Sequence, residues 1–453
     1  MNRRTLPIIL LTFVNALGGT LLIPVLPFVV RDLGQPDVVF AVLIAAYPAA
    51  QFFAAPVLGS LADSRGRRPV LLLSQAGTLI SWLVFAAAYF VDGAGLVLGL
   101  IAVSRVVDGL TGGNASVAAA YLVDVTSEDE RTRIYAVQGA VVGLALLVGP
   151  ALGALANTTS IGFLGPALLA IAISGVALVW LALGLRESLA PENRRSDVDL
   201  NPLHQLNLLG RMQGVTNAAT LQRLFLVQAF FTLAFSSYTT IIVLLYADRL
   251  GLEPAETGLM LLSVGVFLIF HELVTLRLAQ RLFGDSGVLS LGLVLLPVAL
   301  LLLTAPTTVA TWLPISFLMN AGLALIMPTL QSAITKAADP TEEGEVQGIT
   351  TSVSAAAAMV APVAGGALYG LFGITALVVF AGLAALAGLT FATTRRPAAT
   401  DQGSADRTVH HRGVQCLANH RAGGHRSWGL QLYGGSHRHH CVAAHADSEI
   451  AVE

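Results

Sequence analysis

Charge is scarce in this chain of 453 residues. Asp, Glu, Lys and Arg make up 11% of it, where a soluble domain carries about 25%. That shortage excludes an ordinary soluble domain. The net charge of -2 gives no electrostatic basis for a nucleic-acid partner. Cysteine is confined to Cys416 and Cys441 near the end of the chain, so no disulfide framework exists elsewhere. There is no Gly-rich phosphate loop, which excludes nucleotide hydrolysis as an energy source. The apolar runs hold no nucleophile–base constellation and no metal-ligand spacing, so no catalytic residue, metal or cofactor is expected.

Long uncharged runs are what the sequence has instead. Val38 to Leu58 and Val70 to Val91 each lack any charged residue, and about 20 apolar residues suffice to cross a bilayer as helix. Runs of that length indicate helices rather than a barrel. Twelve spans are expected: Leu6–Val30, Val38–Leu61, Val70–Val91, Leu96–Val123, Ile134–Ala156, Ile161–Leu185, Leu224–Tyr246, Thr257–Leu276, Val288–Ala305, Thr311–Thr335, Val346–Leu368 and Ile374–Thr394. Met1-Asn2-Arg3-Arg4 has the basic start of a signal peptide. The apolar run continues to Val30 without a small-residue cleavage site, so a retained first span is expected.

The one long connection, Arg186 to Arg223, is polar and divides the spans six and six. The expected organisation is residues 1–185 as a first six-helix half, 186–223 as a cytoplasmic loop, 224–394 as a second half and 395–453 as a cytoplasmic, disordered tail. With the N-terminus in the cytoplasm, 17 of the 25 Lys and Arg fall on the cytoplasmic side and two, Arg31 and Arg249, on the other. That bias sets the orientation and places both termini inside. The halves also repeat. Val137-Gln138-Gly139 recurs as Val346-Gln347-Gly348, an offset of 209, and Gly149-Pro150 is echoed by Ala361-Pro362, an offset of 212. Parallel repeats of this kind bind substrate between the halves near mid-membrane.

The connection between spans 2 and 3 reads Gly59-Ser60-Leu61-Ala62-Asp63-Ser64-Arg65-Gly66-Arg67-Arg68-Pro69. Its glycines suit a tight turn and close helix approach. Asp63 can sit at a helix N-terminus or pair with an arginine. The plain alternative is an ordinary positive-inside turn. Gly59, Leu61, Ala62, Asp63, Gly66, Arg67 and Arg68 match the signature of the major facilitator superfamily, which the chain therefore resembles. Arg105-Val106-Val107-Asp108-Gly109-Leu110-Thr111-Gly112-Gly113 is similar to the family's span-4 motif. Gly139, Gly143, Gly149, Pro150 and Gly153 are similar to its span-5 antiporter motif, and Leu22-Ile23-Pro24-Val25-Leu26-Pro27 to the span-1 ending of twelve-helix drug/proton antiporters. Gly66 to Ser74, Gly109 to Gly112 and Asp124-Val125-Thr126 resemble tetracycline and multidrug efflux proteins.

The resemblance implies an all-α membrane protein with twelve transmembrane helices in two six-helix halves. It also implies a conformational gate at Gly59, Asp63, Gly66, Arg67, Arg68, Asp124, Gly149 and Pro150. Asp63 and its arginines then act as a latch facing the seam with the second half, stabilising the outward-open state. Asp124 and the run Glu128 to Arg133 join the arginines in a charge lattice, or else form a solvated turn. Two departures stand out. Tetracycline exporters carry an aspartate where Asn15 stands and another where Ser81 stands, so recognition of a metal–tetracycline complex does not carry over.

A proton antiporter needs a buried group that changes charge. Arg105 and Asp108, three apart, share a helix face and are one coupling candidate; a static ion pair is the alternative. His271 and Glu272 are the other. Histidine titrates near neutrality, but these neighbours point about 100° apart, and the histidine can equally tie two helices together. Phe13, Asn15, Tyr47, Gln51, Asn114, Gln138, Gln228, Phe231, Tyr238, Met319 and Asn320 are candidates for an apolar, amide-bearing cavity. Such cavities accept lipophilic molecules. Eight of the ten histidines lie in the tail, which has no apolar periodicity and no fixed metal-ligand spacing, and its abrupt composition suggests an out-of-frame end.

The expected function is proton-driven export of small lipophilic compounds, antibiotics included, through a bacterial cytoplasmic membrane. The partners are a small-molecule substrate, protons and the lipid bilayer, and the chain acts as a monomer. The alternatives are sugar or metabolite efflux on the same fold, and a membrane sensor that transports nothing.

Overall fold

The computed structural model of the protein describes residues 5–112, 114–126, 128–194, 216, 218–339 and 343–394. The tail, most of the 186–223 connection and the side chains of the Glu128 to Arg133 run lie outside the described residues.

The apolar runs fold into helix, the form that satisfies every backbone group without water. In chain order the helices are α1 (Leu6–Leu21), α2 (Leu26–Asp32), α3 (Asp37–Arg65), α4 (Arg67–Ala87), α5 (Ala94–Gly112), α6 (Ala115–Val125), α7 (Glu128–Asn157) and α8 (Leu164–Gly184). After the long connection come α9 (Ala218–Leu250), α10 (Pro254–Phe270), α11 (Leu276–Leu302), α12 (Val309–Ala337), α13 (Glu343–Phe372) and α14 (Ala376–Thr394). Among the described residues there are ten apolar helical runs long enough to cross a membrane, two of them far longer than one crossing needs: Pro254–Leu302 with 49 residues and Val346–Thr393 with 48. The first turns back at Gly284 (φ 63°, ψ 169°). The second turns at the 3-10 segment Gly373–Thr375, where Gly373 has φ 56°.

Three spans depart from single helices. Span 1 breaks between Leu21 and Leu26 because Pro24 has no N–H to give and disfavours helix at the residue before it. Span 4 is described as two helices, α5 to Gly112 and α6 from Ala115. Span 8 carries a π-helical turn at His271–Thr275, the form a helix takes when one extra residue is fitted into it. The glycine-punctuated stretch between spans 2 and 3 is shorter as a turn than its sequence suggests. Helix α3 continues to Arg65 and α4 starts at Arg67, so Gly66 alone (φ 105°, ψ 158°) makes the corner. Asp63 is therefore in the last turn of α3, not at a helix N-terminus.

Packing recurs between the two parts of the chain. α1 packs on α7 and α8, α4 on α5 and α8; correspondingly, α9 packs on α13 and α14, α11 on α12 and α14. The two parts meet through α3 against α13 and α7 against α10. Hydrogen bonds repeat with them. Gln138 donates to Thr12 Oγ1 (3.1 Å) as Gln228 does to Ser354 Oγ (3.0 Å). Thr20 Oγ1 donates to the Ala145 carbonyl (3.3 Å) as Ser237 Oγ does to that of Ala361 (3.0 Å). From 12 to 228 and from 138 to 354 the shift is 216. The sequence echo pairing Pro150 with Pro362 is thus about one helical turn out of register. The structural counterpart of Gly149, which touches Thr20, is Gly365, which touches Ser237.

Candidate functional site

Helix α5 brings the first candidates together. Arg105 and Asp108 are 4% and 5% exposed, and Arg105 Nη1 lies 3.6 Å from Asp108 Oδ2. That is an ion pair too long for a direct hydrogen bond. The guanidinium instead lies over Trp82 (5.0 Å to the ring centroid) and Phe85 (5.8 Å), within range of a cation–π attraction. Thr78 and Ser81 of α4 flank the Asp108 carboxylate. Close helix approach makes this arrangement possible: a Cβ at Gly109 would fall 2.4 Å from the Tyr47 carbonyl, and one at Gly112 would fall 2.8 Å from the Tyr47 hydroxyl. Arg105 Nε has no partner among the described residues. The pair is loosely matched, and the aromatic rings hold the cation independently of the carboxylate. Asp108 can accept a proton without leaving Arg105 wholly unsupported.

Most of the amides picked out as cavity candidates are spent on helix–helix ties. Asn15 donates to Asn114 Oδ1 (3.1 Å) and Asn114 to Ser74 Oγ (2.6 Å). Ser74 in turn donates to the Thr111 carbonyl. This chain links α1, the α5–α6 break and α4. Gln51 donates to the Tyr47 hydroxyl (3.3 Å) and the Gly112 carbonyl (3.0 Å). Asn320 Nδ2 donates to the Ser316 carbonyl (2.8 Å), and Phe231 stacks on Phe235. Phe13 lines an apolar groove of about 280 Å³ between α1 and α8, together with Leu10, Leu17, Ile173 and Val176. Buried hydrogen-bonding capacity remains at Asn15 Oδ1, Asn320 Oδ1 and the Tyr238 hydroxyl, none of which has a partner among the described residues. A buried polar atom left unpaired is costly; Gln75 Oε1 and Ser316 Oγ are likewise without a partner among the described residues.

His271 and Glu272 diverge. His271 is buried in the π turn, with Nε2 3.0 Å from the Phe317 carbonyl and Nδ1 2.8 Å from Thr275 Oγ1. A carbonyl only accepts, so Nε2 carries the proton and the ring donates to α12. Its centroid is 4.2 Å from that of Phe317. Glu272 is exposed, beside exposed Leu273 and Val274. His271 thus ties the π turn to α12, while Glu272 faces outward.

At the Gly66 corner, Arg67 pairs with Asp63 and reaches Asp124 Oδ2 at 3.5 Å. An acid in a last helical turn opposes the helix dipole, and Arg67 offsets that. Ser188 Oγ donates to Asp124 Oδ2 (2.8 Å), and Arg68 donates to the Ala182 carbonyl (3.0 Å). Glu187 was not singled out from the sequence, yet its carboxylate receives the backbone N–H groups of Arg67 (2.8 Å) and Arg68 (3.1 Å). It caps α4, where an anion is favoured. The signal was available: Glu187 is the acid immediately following span 6. Gly59 packs near Ser116; on α7, Gly149 faces Thr20 of α1 and the Pro150 carbonyl faces Gly258 of α10. All these partners of the corner belong to residues 59–188. The counterpart at Gly284 has its own pair, Asp285 with Lys336 (2.5 Å), with the charges reversed relative to Arg67 and Asp124.

Gly66 has backbone angles open essentially to glycine alone, which other residues adopt at about 1–3 kcal/mol. An added Cβ there would also fall 2.4 Å from Glu187 Oε2. Gly66→Ala is expected to lower the thermal midpoint of the detergent-solubilised protein by several degrees; an unchanged midpoint contradicts the corner as described.

A model of the Major Facilitator Superfamily matches residues 8–269 and 224–432. The chain belongs to the major facilitator superfamily. Within it, the chain is 31% identical over 366 residues to the class G tetracycline resistance protein of Vibrio anguillarum, covering 80% of this chain and 89% of that one. It is 29% identical over 361 residues to the class C tetracycline resistance protein of Escherichia coli, covering 78% and 87%. Among solved structures, the human organic anion transporter MFSD10 aligns with a TM-score of 0.65 at 23% identity, covering 86% of this chain and 99% of that one. The peptide transporter POT in complex with sulfate aligns with a TM-score of 0.69 at 14% identity, covering 87% and 94%. At those identities the two structures show the fold. This superfamily member is an all-α, multi-pass membrane transporter.

Proposed function

We propose that this transporter exports small lipophilic compounds, tetracycline-like antibiotics among them, in exchange for protons across a bacterial cytoplasmic membrane. Two six-helix halves, residues 1–185 and 224–394, rock about a central site as a monomer with both termini in the cytoplasm. The observation that carries the reading is the buried, loosely matched Arg105–Asp108 pair within an apolar span. An intramembrane charge is expensive, and a functional use is its default explanation. Substrate meets the unspent polar atoms of Asn15, Tyr238 and Asn320 against an otherwise apolar lining. The similarity to tetracycline resistance proteins favours a drug over a sugar or a metabolite.

The Asp63–Arg67–Asp124–Glu187 cluster serves as the cytoplasmic latch. Asp63→Asn is expected to abolish transport while membrane levels stay as in wild type; normal transport by that variant removes the latch. The assignment as a whole is tested by a resistance panel in a pump-deficient host, with and without an uncoupler. Uncoupler-sensitive resistance to at least one lipophilic compound is expected. No change for any compound overturns the export reading.

A further inference from the structure

A second charged cluster lies at the opposite end of the helices from Asp63. Arg31 is in the last turn of α2, and Asp37 in the first turn of α3. Arg31 Nε and Nη2 donate to Asp37 Oδ1 and Oδ2 at 2.7 and 2.8 Å. Its Nη1 and Nη2 also donate to Asp248 Oδ1 and Oδ2, at 2.7 and 3.0 Å. Tyr369 donates its hydroxyl to Asp248 Oδ2 at 2.6 Å. One guanidinium thus holds two carboxylates by two forks, the strongest geometry such pairs have. Asp248 ends α9 and Tyr369 lies near the end of α13, so the second fork ties the two parts of the chain together.

The two carboxylates are not equivalent. Asp37 opens a helix, where a negative charge is favoured, whereas Asp248 closes one, where it is not. Asp248 therefore depends on Arg31 and Tyr369 more than Asp37 does. Exposure sets the strength. The side chains of Arg31, Asp37 and Asp248 are 30%, 21% and 41% exposed, so water reaches them and solvates them if they part. Such a contact is weak beside a buried one, which suits a junction that opens repeatedly.

The helices converge at this same end. A Cβ added to Gly366 would fall 2.2 Å from Ala41 Cβ, and one at Gly258 would fall 2.3 Å from Ala154 Cβ. Both seams, α3 with α13 and α7 with α10, are thus in close contact at this end. Toward the other end of α7, a Cβ at Gly139 or Gly143 would meet nothing within 4 Å. We propose that Arg31, Asp248 and Tyr369 form the clasp of the outer gate, which holds the transporter closed to the outside and parts once in each transport cycle. The clasp rests on the alternating-access reading above, but its test needs no substrate, so it can fail while export stands, and the reverse.

The test is a distance across the outer face. In full-length protein carrying Cys416→Ser and Cys441→Ser, spin labels are placed at Asp92→Cys and Thr307→Cys. These exposed positions lie in the outer connections after α4 and α11. The short distance is expected to dominate in the parent. Arg31→Gln and Asp248→Asn are each expected to raise the ratio of long to short distances about tenfold, within the range of couplings between conformational states. The two combined should do no more than either alone, because they remove one contact. Asp32→Asn, next to the clasp but outside it, should leave the ratio as in the parent. An unchanged ratio in Arg31→Gln, or additive effects in the combined variant, overturns the clasp. If Arg31→Gln does not fold, Asp248→Asn and Tyr369→Phe carry the same test: longer distances support the clasp and unchanged ones refute it.

Discussion

Asp108→Asn is expected to abolish transport driven by a pH gradient. The reason is the environment of α5, where Asp108 is an acid buried beside a cation in an apolar helix. Asn is nearly isosteric and still accepts from neighbouring hydroxyls, but it cannot cycle a proton. The obvious objection is that the pair is only structural. Removing one partner of a buried pair leaves an uncompensated charge, at about 3–5 kcal/mol. Trp82 and Phe85 recover part of that, a cation–π contact being worth about 2 kcal/mol when desolvated. The double variant Arg105→Gln, Asp108→Asn separates the two roles, since it leaves no charge behind. If the pair is a rivet, the double variant regains both folded yield and transport. If Asp108 carries the proton, it regains yield and remains uncoupled, which is the outcome expected.

Gly153→Ala should destabilise the protein more than any other single methyl addition in α7. Its Cβ would fall 1.9 Å from the Leu21 carbonyl oxygen and 2.7 Å from the carbonyl carbon. Both neighbours are backbone, so no side chain can swing away and α1 must move as a body. Overpacking of a tight interior costs about 1–3 kcal/mol, sometimes more, and a backbone obstacle belongs at the upper end. Gly139→Ala and Gly143→Ala, on the same helix and in the same glycine pattern, meet open space. Helix propensity alone then favours alanine, by about 0.5–1 kcal/mol. A thermal melt of the three variants in detergent should show one large loss and two neutral or raised midpoints. Equal losses at all three contradict the packing of α1 on α7.

The fold was legible because lipid forces a simple code. Uncharged runs of sufficient length must be helices. Breaks within spans were less legible. Pro24 does sit at the break in span 1, but prolines also stand inside continuous helices, as Pro48 and Pro56 do in α3. Tertiary packing decides which ones interrupt. The repeat was visible, yet its register was not, since proline echoed proline while glycine contacts set the geometry one turn away. At the candidate site, Arg105 and Asp108 were legible from spacing on one helix. Asp248 was not, because its partner lies 217 residues away, and no local pattern encodes such a distance. The amides of Asn15, Asn114, Gln138 and Gln228 were read as cavity polarity. The structure places them in ties between helices, a use that composition alone does not separate from ligand binding.

The most direct measurement is export by the purified protein in proteoliposomes under an imposed pH gradient. A lipophilic antibiotic should be pumped against its own gradient only while the pH gradient persists, with protons moving the opposite way and both fluxes lost in Asp108→Asn. Substrate movement that ignores the pH gradient, or that survives in Asp108→Asn at the wild-type rate, contradicts the account.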